Sequence, residues 1–164
     1  MTILTAPEPL EPDHLIDSFS CGKPELDDWL KSRAGPSEAK SARTYVVCEG
    51  RRVVGYYCLA AGGVMRESVP GKFRHGLPTS VPVMIMGRLA VDLACHGRGI
   101  GSHLLADAMR RTVLVARQVG VRALLVHALD ETVLPFYLRH GFRPLSSGSR
   151  TLFIPMETIV STLS

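Results

Sequence analysis

The stretch from Leu89 to Ser102 reads Leu-Ala-Val-Asp-Leu-Ala-Cys-His-Gly-Arg-Gly-Ile-Gly-Ser, and it restricts the fold more than any other part of the chain. An apolar run ends at Val91 and a short loop follows. Gly97, Gly99 and Gly101 then open a segment whose apolar residues recur at helical spacing. A strand feeding a glycine-rich turn at a helix N-terminus is a ready anion site, because the first N–H groups of a helix lack intrahelical partners and the helix dipole favours negative charge there. Glycine also lets backbone approach a phosphate with no Cβ in the way. Two nucleotide motifs are excluded. There is no G-x-x-x-x-G-K-[ST], and G-x-G-x-x-G fails because Ser102 stands at its last position.

Length and composition set the frame. The 164 residues suit one domain over residues 1–164, and 46% hydrophobic with 21% charged residues fits a globular protein. No apolar run approaches the roughly 18–20 residues that cross a bilayer. The N-terminus has neither a basic start nor a long apolar middle, so neither a signal peptide nor a membrane association is expected. Cys21, Cys48, Cys58 and Cys95 lie far apart with no C-x-x-C pair, which is compatible with a reducing cytoplasm, the expected location. A net charge of +4 favours an anionic partner.

Residues 3–10 read as an edge strand because of Pro7 and Pro9. Leu15, Ile16 and Phe19 suggest a short helix ending near Gly22, and Pro24 opens another with Leu26, Trp29 and Leu30 on one face. Gly35-Pro36-Ser37 breaks it, and a further turn is expected over Glu38–Ala42. Thr44–Glu49 and Arg52–Ala61 form a hairpin about Gly50. Residues 62–80 read as an irregular loop, solvated or acting as a binding flap. Val83–Val91 is a strand and Gly99–Gly120 a helix. In that helix Leu104, Leu105, Ala108, Met109, Thr112, Val115, Ala116 and Val119 share one face, with Asp107 and Arg111 paired on the other. A strand over Ala123–Ala128, a helix over Thr132–His140 closed by Gly141, and a hairpin of Phe142–Leu145 with Thr151–Ile154 complete the chain. The pattern is α/β (or α+β), a mixed sheet flanked by helices.

His96-Gly97-Arg98-Gly99-Ile100-Gly101 resembles the coenzyme A turn of the GNAT acetyltransferases, with His96 where the family has Gln or Arg. Arg88-Leu89-Ala90-Val91-Asp92 resembles the strand that pairs with pantetheine in that family, and Phe136-Tyr137 before His140-Gly141-Phe142 resembles its F-Y-x-x-x-G-F signature. Within the family, Phe19-x-Cys21-Gly22, Leu26-x-x-Trp29-Leu30, Ala42–Val46, Val54–Tyr57, Gly87–Asp92, Leu104-Leu105-x-Asp107-Ala108 and Val126-His127-Ala128 resemble the acetyltransferase toxins of bacterial toxin–antitoxin pairs.

The resemblance implies a mostly antiparallel mixed sheet with a splayed coenzyme-binding strand pair. It implies acetyl transfer from acetyl-CoA to the α-amino group of aminoacyl-tRNA, which stops translation, and neutralisation by a ribbon-helix-helix antitoxin; a homodimer is compatible with this branch. Coenzyme contacts fall on Leu89, Ala90, Val91, His96, Gly97, Arg98, Gly99, Ile100, Gly101, Ser102, Asp130 and Phe136, although Asp130 serves equally well as a helix N-cap. Two alternatives stay open: a GNAT enzyme acting on a small-molecule amine or a protein N-terminus, and a non-catalytic acyl-CoA-binding module.

The chemistry of the residues bears on this choice. An amine must be neutral to attack a thioester, which is harder for a lysine (pKa near 10.4) than for an α-amino group (about 7.7–8.0). Val83–Val91 contains no Asp or Glu, so the carboxylate base that would serve a lysine is missing from the strand before the turn. Tyr137, protonated at neutral pH, can donate to the departing thiolate as general acid, and N–H groups of Leu89–Val91 can polarise the thioester carbonyl. Arg33, Arg43, Lys72, Arg74 and Arg88 are the candidate RNA phosphate contacts. His127 reads as a core histidine. His75 and His140 lack metal-ligand spacing, and no metal is expected.

Overall fold

The computed structural model describes residues 3–35 and 40–164. The expected break at Gly35-Pro36-Ser37 and the turn over Glu38–Ala42 lie partly on residues 36–39, outside the described residues. Seven strands are described: β1 (Glu8–Pro9), β2 (Arg43–Glu49), β3 (Arg52–Met65), β4 (Ser80–Val91), β5 (Ala123–His127), β6 (Arg143–Pro144) and β7 (Thr151–Pro155). The α-helices whose bounds are described are α1 (Pro24–Ser32), α2 (Ile100–Ala116), α3 (Leu134–Arg139) and α4 (Met156–Leu163). The result is a mixed, mostly antiparallel sheet flanked by helices, as the sequence pattern implies.

The chain divides into two compact units: residues 1–60 with 87–108, and residues 61–86 with 109–164. In the first unit the strand order is β1-β2-β3-β4. Val46, Val53, Tyr56 and Cys58 point into a core shared with Phe19, Trp29 and Leu30. The Val- and Tyr-rich runs of β2 and β3 on either side of Gly50 predict this hairpin, and the Pro-containing β1 takes the edge, pairing Glu8 with Val46 and Pro9 with Tyr45. The β2–β3 register slips between Val47 and Cys48, which face Gly55 and Val53, leaving Val54 as an extra residue. The carbonyl freed at Val54 accepts the N–H of Asp92 at 2.8 Å, so the bulge in β3 receives the end of β4.

Leu15, Ile16 and Phe19 do not form the expected helix. Leu15 bridges Arg52 in parallel and its carbonyl accepts the Val53 N–H at 2.9 Å, so this backbone is spent on the sheet. Leu15 is consequently 61% exposed while Phe19 is fully buried.

In the second unit the order is β3-β4-β5-β7-β6. β4 pairs with β5 in parallel over Met84–Met86, and β5 pairs antiparallel with β7 from Ala123 against Pro155 to His127 against Thr151. The loop expected to begin at Gly62 begins later, because β3 continues to Met65. Glycine makes this passage feasible: a Cβ at Gly62 would lie 2.3 Å from Ile85 Cδ1.

Residues 66–79 then form two short helical turns rather than a purely solvated loop. Phe73 packs edge-on against Phe153 and Val69 is buried. Beneath this segment lies a cavity of about 240 Å³ lined by Val81, Val83, Leu125 and Phe153 among others. The C-terminal helix α4 was not legible in the sequence. Its eight residues carry few helical signals, and it is docked by Ile159, which is fully buried.

Helix α2 stops at Ala116, short of Gly120. Its face buries Leu104, Leu105, Ala108, Met109 and Thr112, whereas Val119 beyond its end is 58% exposed. Asp107, expected on the polar side with Arg111, is buried and accepts a hydrogen bond from Tyr57 Oη. None of the helices described is long and apolar enough to cross a membrane.

Leu104 lies against Gly55 and is fully buried, so Leu104→Ala removes methyl groups from a site with little room to collapse. The expected loss of stability is about 2–5 kcal/mol. Urea unfolding would show it as a lower midpoint at unchanged slope, and an unaltered midpoint would remove Leu104 from the core that seats α2.

Candidate active site

The glycine turn is built from the first unit alone. Asp92 ends β4 with a buried carboxylate that accepts the N–H of Ser20 at 3.1 Å through Oδ2 and that of Ala94 at 2.9 Å through Oδ1. Its own N–H is held by Val54, and the next N–H, of Leu93, by the carbonyl of Ser20 at 2.8 Å. These bonds fix the exit of the chain from the sheet into a single helical turn, Leu93–Cys95. His96 then folds back: its Nε2 lies 2.8 Å from the Val91 carbonyl. A carbonyl only accepts, so Nε2 carries the proton, and the imidazole closes the loop where the family pattern has Gln or Arg.

Gly97 (φ +81°) and Gly99 (φ +76°) both lie in the left-handed region, where a side chain would be strained. No protein atom lies within 4 Å of an ideal Cβ at either position, so the backbone is open to approach. The first intrahelical bond is donated by His103 to Gly99 at 3.0 Å. The amides of Ile100, Gly101 and Ser102 precede it and have no partner within the helix. Amides without a helical partner, glycine backbone and the positive end of a seventeen-residue helix together make a cradle that can receive an anion.

Arg98 does not point its charge freely into this cradle. Its guanidinium is 3.4 Å from Glu49 and 3.7 Å from the Cys95 sulfur, and Glu49 also accepts from Arg52 at 2.7 Å. Glu49 was not singled out in the sequence, where it reads only as the polar end of β2. It tethers the turn through Arg98 and Cys95.

Tyr137 belongs to the second unit. It lies on α3, follows Pro135 and Phe136, and is 7% exposed. Phe136 and Phe142 approach its ring edge-on at 5.2 and 5.5 Å between centroids. Gly141 (φ +94°) turns the chain out of α3, so that Phe142 returns to pack on the tyrosine. Burial pushes the phenol well above its ordinary pKa near 10. Among the described residues its hydroxyl has no hydrogen-bond partner, yet no fully buried side-chain polar atom lacks one, so the hydroxyl is the part of Tyr137 that meets solvent. A phenol that burial keeps protonated, with its hydroxyl open to solvent, can donate a proton.

The remaining candidates separate. Asp130 accepts from Thr132 N–H at 2.9 Å and caps the helical turn Glu131–Val133. Arg74 is bound to the carbonyls of Val69 (2.6 Å) and Glu67 (2.9 Å) and fastens the 66–79 segment. Lys72 lies over the ring of Phe73 at 5.3 Å. Arg33 and Arg43 are exposed, and Arg88 lies over the indole of Trp29. His127 is exposed rather than in the core, since it ends β5 on the open side, and its Nδ1 pairs with Thr151 Oγ1 at 3.0 Å.

Among the described residues Glu8, His14 and Cys48 bring ligand atoms within 4.8 Å of one another. His14 Nδ1, however, accepts the Glu11 N–H at 2.8 Å, which places the imidazole proton on Nε2, facing Glu8 at 2.8 Å. A metal on Nε2 would require the proton on Nδ1, so this group is wired as a hydrogen-bond chain. Burial pushes the Cys48 thiol up to about 11, which further opposes a thiolate ligand.

A family described as acetyltransferase (GNAT) domain matches residues 40–144. The chain is 43% identical over 143 residues to a "tRNA-acetylating toxin" of Mycobacterium tuberculosis, covering 87% of this chain and 86% of that protein. Among solved structures it is similar to AtaT complexed with acetyl-methionyl-tRNAfMet, with a TM-score of 0.91 at 30% identity, covering 99% of this chain and 100% of that one. It is also similar to a mutant AtaT toxin bound to the C-terminus of the antitoxin AtaR and acetyl-CoA, with a TM-score of 0.86 at 30% identity over 98% of both chains.

The turn's dependence on Asp92 is testable. Asn keeps the size but offers one acceptor oxygen where Asp offers two, so either Ser20 or Ala94 loses its acceptor. Asp92→Asn is expected to cost about 1–3 kcal/mol in urea unfolding. The amides of Ser20 and Ala94 should also exchange faster with solvent. Unchanged stability and protection would mean that the carboxylate does not hold the turn.

Proposed function

Since the chain belongs to the GNAT acetyltransferase family, closely related to the tRNA-acetylating toxins, we propose that it transfers the acetyl group of acetyl-CoA to the α-amino group of aminoacyl-tRNA and so blocks translation. The observation that supports this acceptor most directly is the 43% identity, across 87% of the chain, to a protein named for acetylating tRNA. A partner antitoxin of ribbon-helix-helix type, binding as AtaR binds AtaT, belongs to the same reading.

The residues present fit the coenzyme. The amides of Ile100–Ser102 with Gly97 and Gly99 would hold its pyrophosphate, and the Leu89–Val91 backbone would pair with its pantetheine arm. Bound there, acetyl-CoA supplies a thioester whose carbonyl carbon is the electrophile. Backbone N–H groups of Leu89–Val91 polarise that carbonyl. Tyr137 gives its phenolic proton to the sulfur as the carbon–sulfur bond breaks. The new amide forms from the acceptor nitrogen, whose surplus proton passes through water and restores the phenol.

The side chains also bear on the acceptor's chemistry. β4 carries no Asp or Glu, and Asp92 at its end is buried with both oxygens accepting backbone N–H groups. A carboxylate so engaged is a structural acceptor rather than a free base. An α-amine, with an ordinary pKa near 7.7–8.0, is substantially neutral at physiological pH and needs no strong base, unlike a lysine amine near 10.4.

The decisive assay supplies labelled acetyl-CoA to charged tRNA, deacylated tRNA and free amino acids. Label is expected in charged tRNA alone. Label absent from it, with acetyl-CoA still bound, would move the acceptor to small amines or protein N-termini. Tyr137→Phe should preserve coenzyme binding and lower kcat at least about tenfold; unchanged turnover would remove Tyr137 from the mechanism. The protonated phenol is the active form and burial raises its pKa, so its alkaline loss of activity moves above pH 10. The rate should therefore rise as the acceptor amine deprotonates near pH 8 and show no tyrosine limb below about pH 10.

A further inference from the structure

Three rings and one cation form a column in the first unit. Phe19 meets Tyr56 edge-on at 5.5 Å, Tyr56 lies nearly parallel to Trp29 at 5.9 Å and 8°, and the guanidinium of Arg88 lies 4.3 Å from the centre of the indole. The lower members are fixed. Phe19 and Tyr56 are fully buried, and Tyr56 Oη donates to the Leu26 carbonyl at 2.6 Å. Trp29 is 8% exposed and anchored by α1. The column ends in a charge whose position is set by packing.

Arg88 differs from three other arginines of this unit. Arg51 is paired with Glu8, Glu11 and Asp13, Arg52 with Glu49 and Asp92, and Arg98 with Glu49. Among the described residues Arg88 has no carboxylate, carbonyl or hydroxyl partner; its contact is the ring of Trp29. A half-buried guanidinium with one face on an indole and its N–H edges unclaimed is prepaid in orientation and lacks an anion. Planar N–H edges match two oxygens of a phosphate.

We propose that Arg88, oriented by Trp29, is the receptor for a backbone phosphodiester at the acceptor's 3′ end. This rests on the aminoacyl-tRNA reading. The aminoacyl ester itself carries no anion, so the negative charge nearest the reacting amine is a phosphodiester of the terminal nucleotides. Arg88 immediately precedes Leu89–Val91, the segment assigned to the thioester. A phosphate held there fixes the acceptor strand close to the amine and selects an RNA-borne amine over a free one. Coenzyme A also carries nucleotide phosphates, but the Gly97–Ser102 cradle accounts for its pyrophosphate, and the two sources separate experimentally.

The test measures binding rather than turnover. Full-length protein is titrated with an uncharged RNA minihelix ending in single-stranded CCA, and separately with coenzyme A. Arg88→Met, which keeps the apolar stem, should weaken minihelix binding about tenfold and reduce the salt slope by about one. Arg88→Lys should recover only part of the affinity, because it restores charge without the planar fork. Trp29→Phe should retain most of it, and Trp29→Leu should lose it while Arg88 is still present. Coenzyme A affinity and thermal melting of the Arg88 variants should remain at the wild-type level. Minihelix affinity indifferent to Arg88→Met, coenzyme affinity falling equally, or no minihelix binding by the wild type would each overturn the proposal. Acetyl transfer to charged tRNA is scored separately: Arg88-dependent RNA binding without transfer would fell the proposed acceptor and leave the phosphate receptor standing, whereas transfer with Arg88-independent binding would do the reverse.

Discussion

A carboxylate with two backbone amides on it is the interaction on which the candidate coenzyme site depends. Asp92 is buried at the point where β4 ends, and an isolated charge there would be strongly disfavoured. The amides of Ser20 and Ala94 make the position tenable, and in doing so they tie an N-terminal segment and the outgoing turn to the same strand end. The bulge at Val54 supplies a third tie by leaving a carbonyl free for Asp92 N–H. The left-handed glycines that follow can then be held in a conformation that exposes amides. Without a fixed origin, a turn of that flexibility would lose, in ordering entropy, much of what it gains from an anion.

The same unit treats its charged residues in two ways. Glu49 gathers Arg52 and Arg98, two cations that are partly solvent-exposed, into pairs whose individual contribution to stability is small. Their effect is positional: Arg98 leans back onto β2 and leaves the glycine backbone, rather than a long side chain, as the face of the turn. Arg88 is oriented by an aromatic surface instead of a counter-ion. An aromatic partner fixes a guanidinium without neutralising it, which a carboxylate cannot do.

Much of this is legible in the sequence. The strand, glycine turn and helix over Leu89–Ser102 are specified locally, because positive φ and open backbone demand glycine whatever surrounds them. The β2–β3 hairpin, α1 from Pro24 and the exit at Gly141 are likewise written in short-range chemistry. The misreadings share a cause, which is backbone committed to distant partners. Leu15 has helical neighbours in sequence, but its carbonyl serves Val53. Gly62 and Gly63 look like a loop, yet they are the thin part of a strand that passes Ile85 and Val81. Asp107 reads as a polar-face residue of its helix, but it is buried and bonded by Tyr57 from another element. Glu49 and the Arg88–Trp29 stack depend on residues dozens of positions apart, and no local pattern announces them.

The distribution of acids and bases gives the site a chemical direction. β4 carries no Asp or Glu, and the Asp92 that follows it is engaged by amides; in the second unit Tyr137 is collared by Phe136 and Phe142, and its burial keeps the proton on oxygen. Groups of this kind can give a proton and are poorly suited to take one from a strongly basic amine. That asymmetry suits an acceptor that arrives already neutral, and an α-amino group next to an ester carbonyl is less basic than a lysine. A site that need not generate its nucleophile can direct its binding interactions to position instead. At the cationic end of the Phe19–Tyr56–Trp29 column, Arg88 is oriented by packing on an indole. A cation held in this way is suited to keep an anion in place.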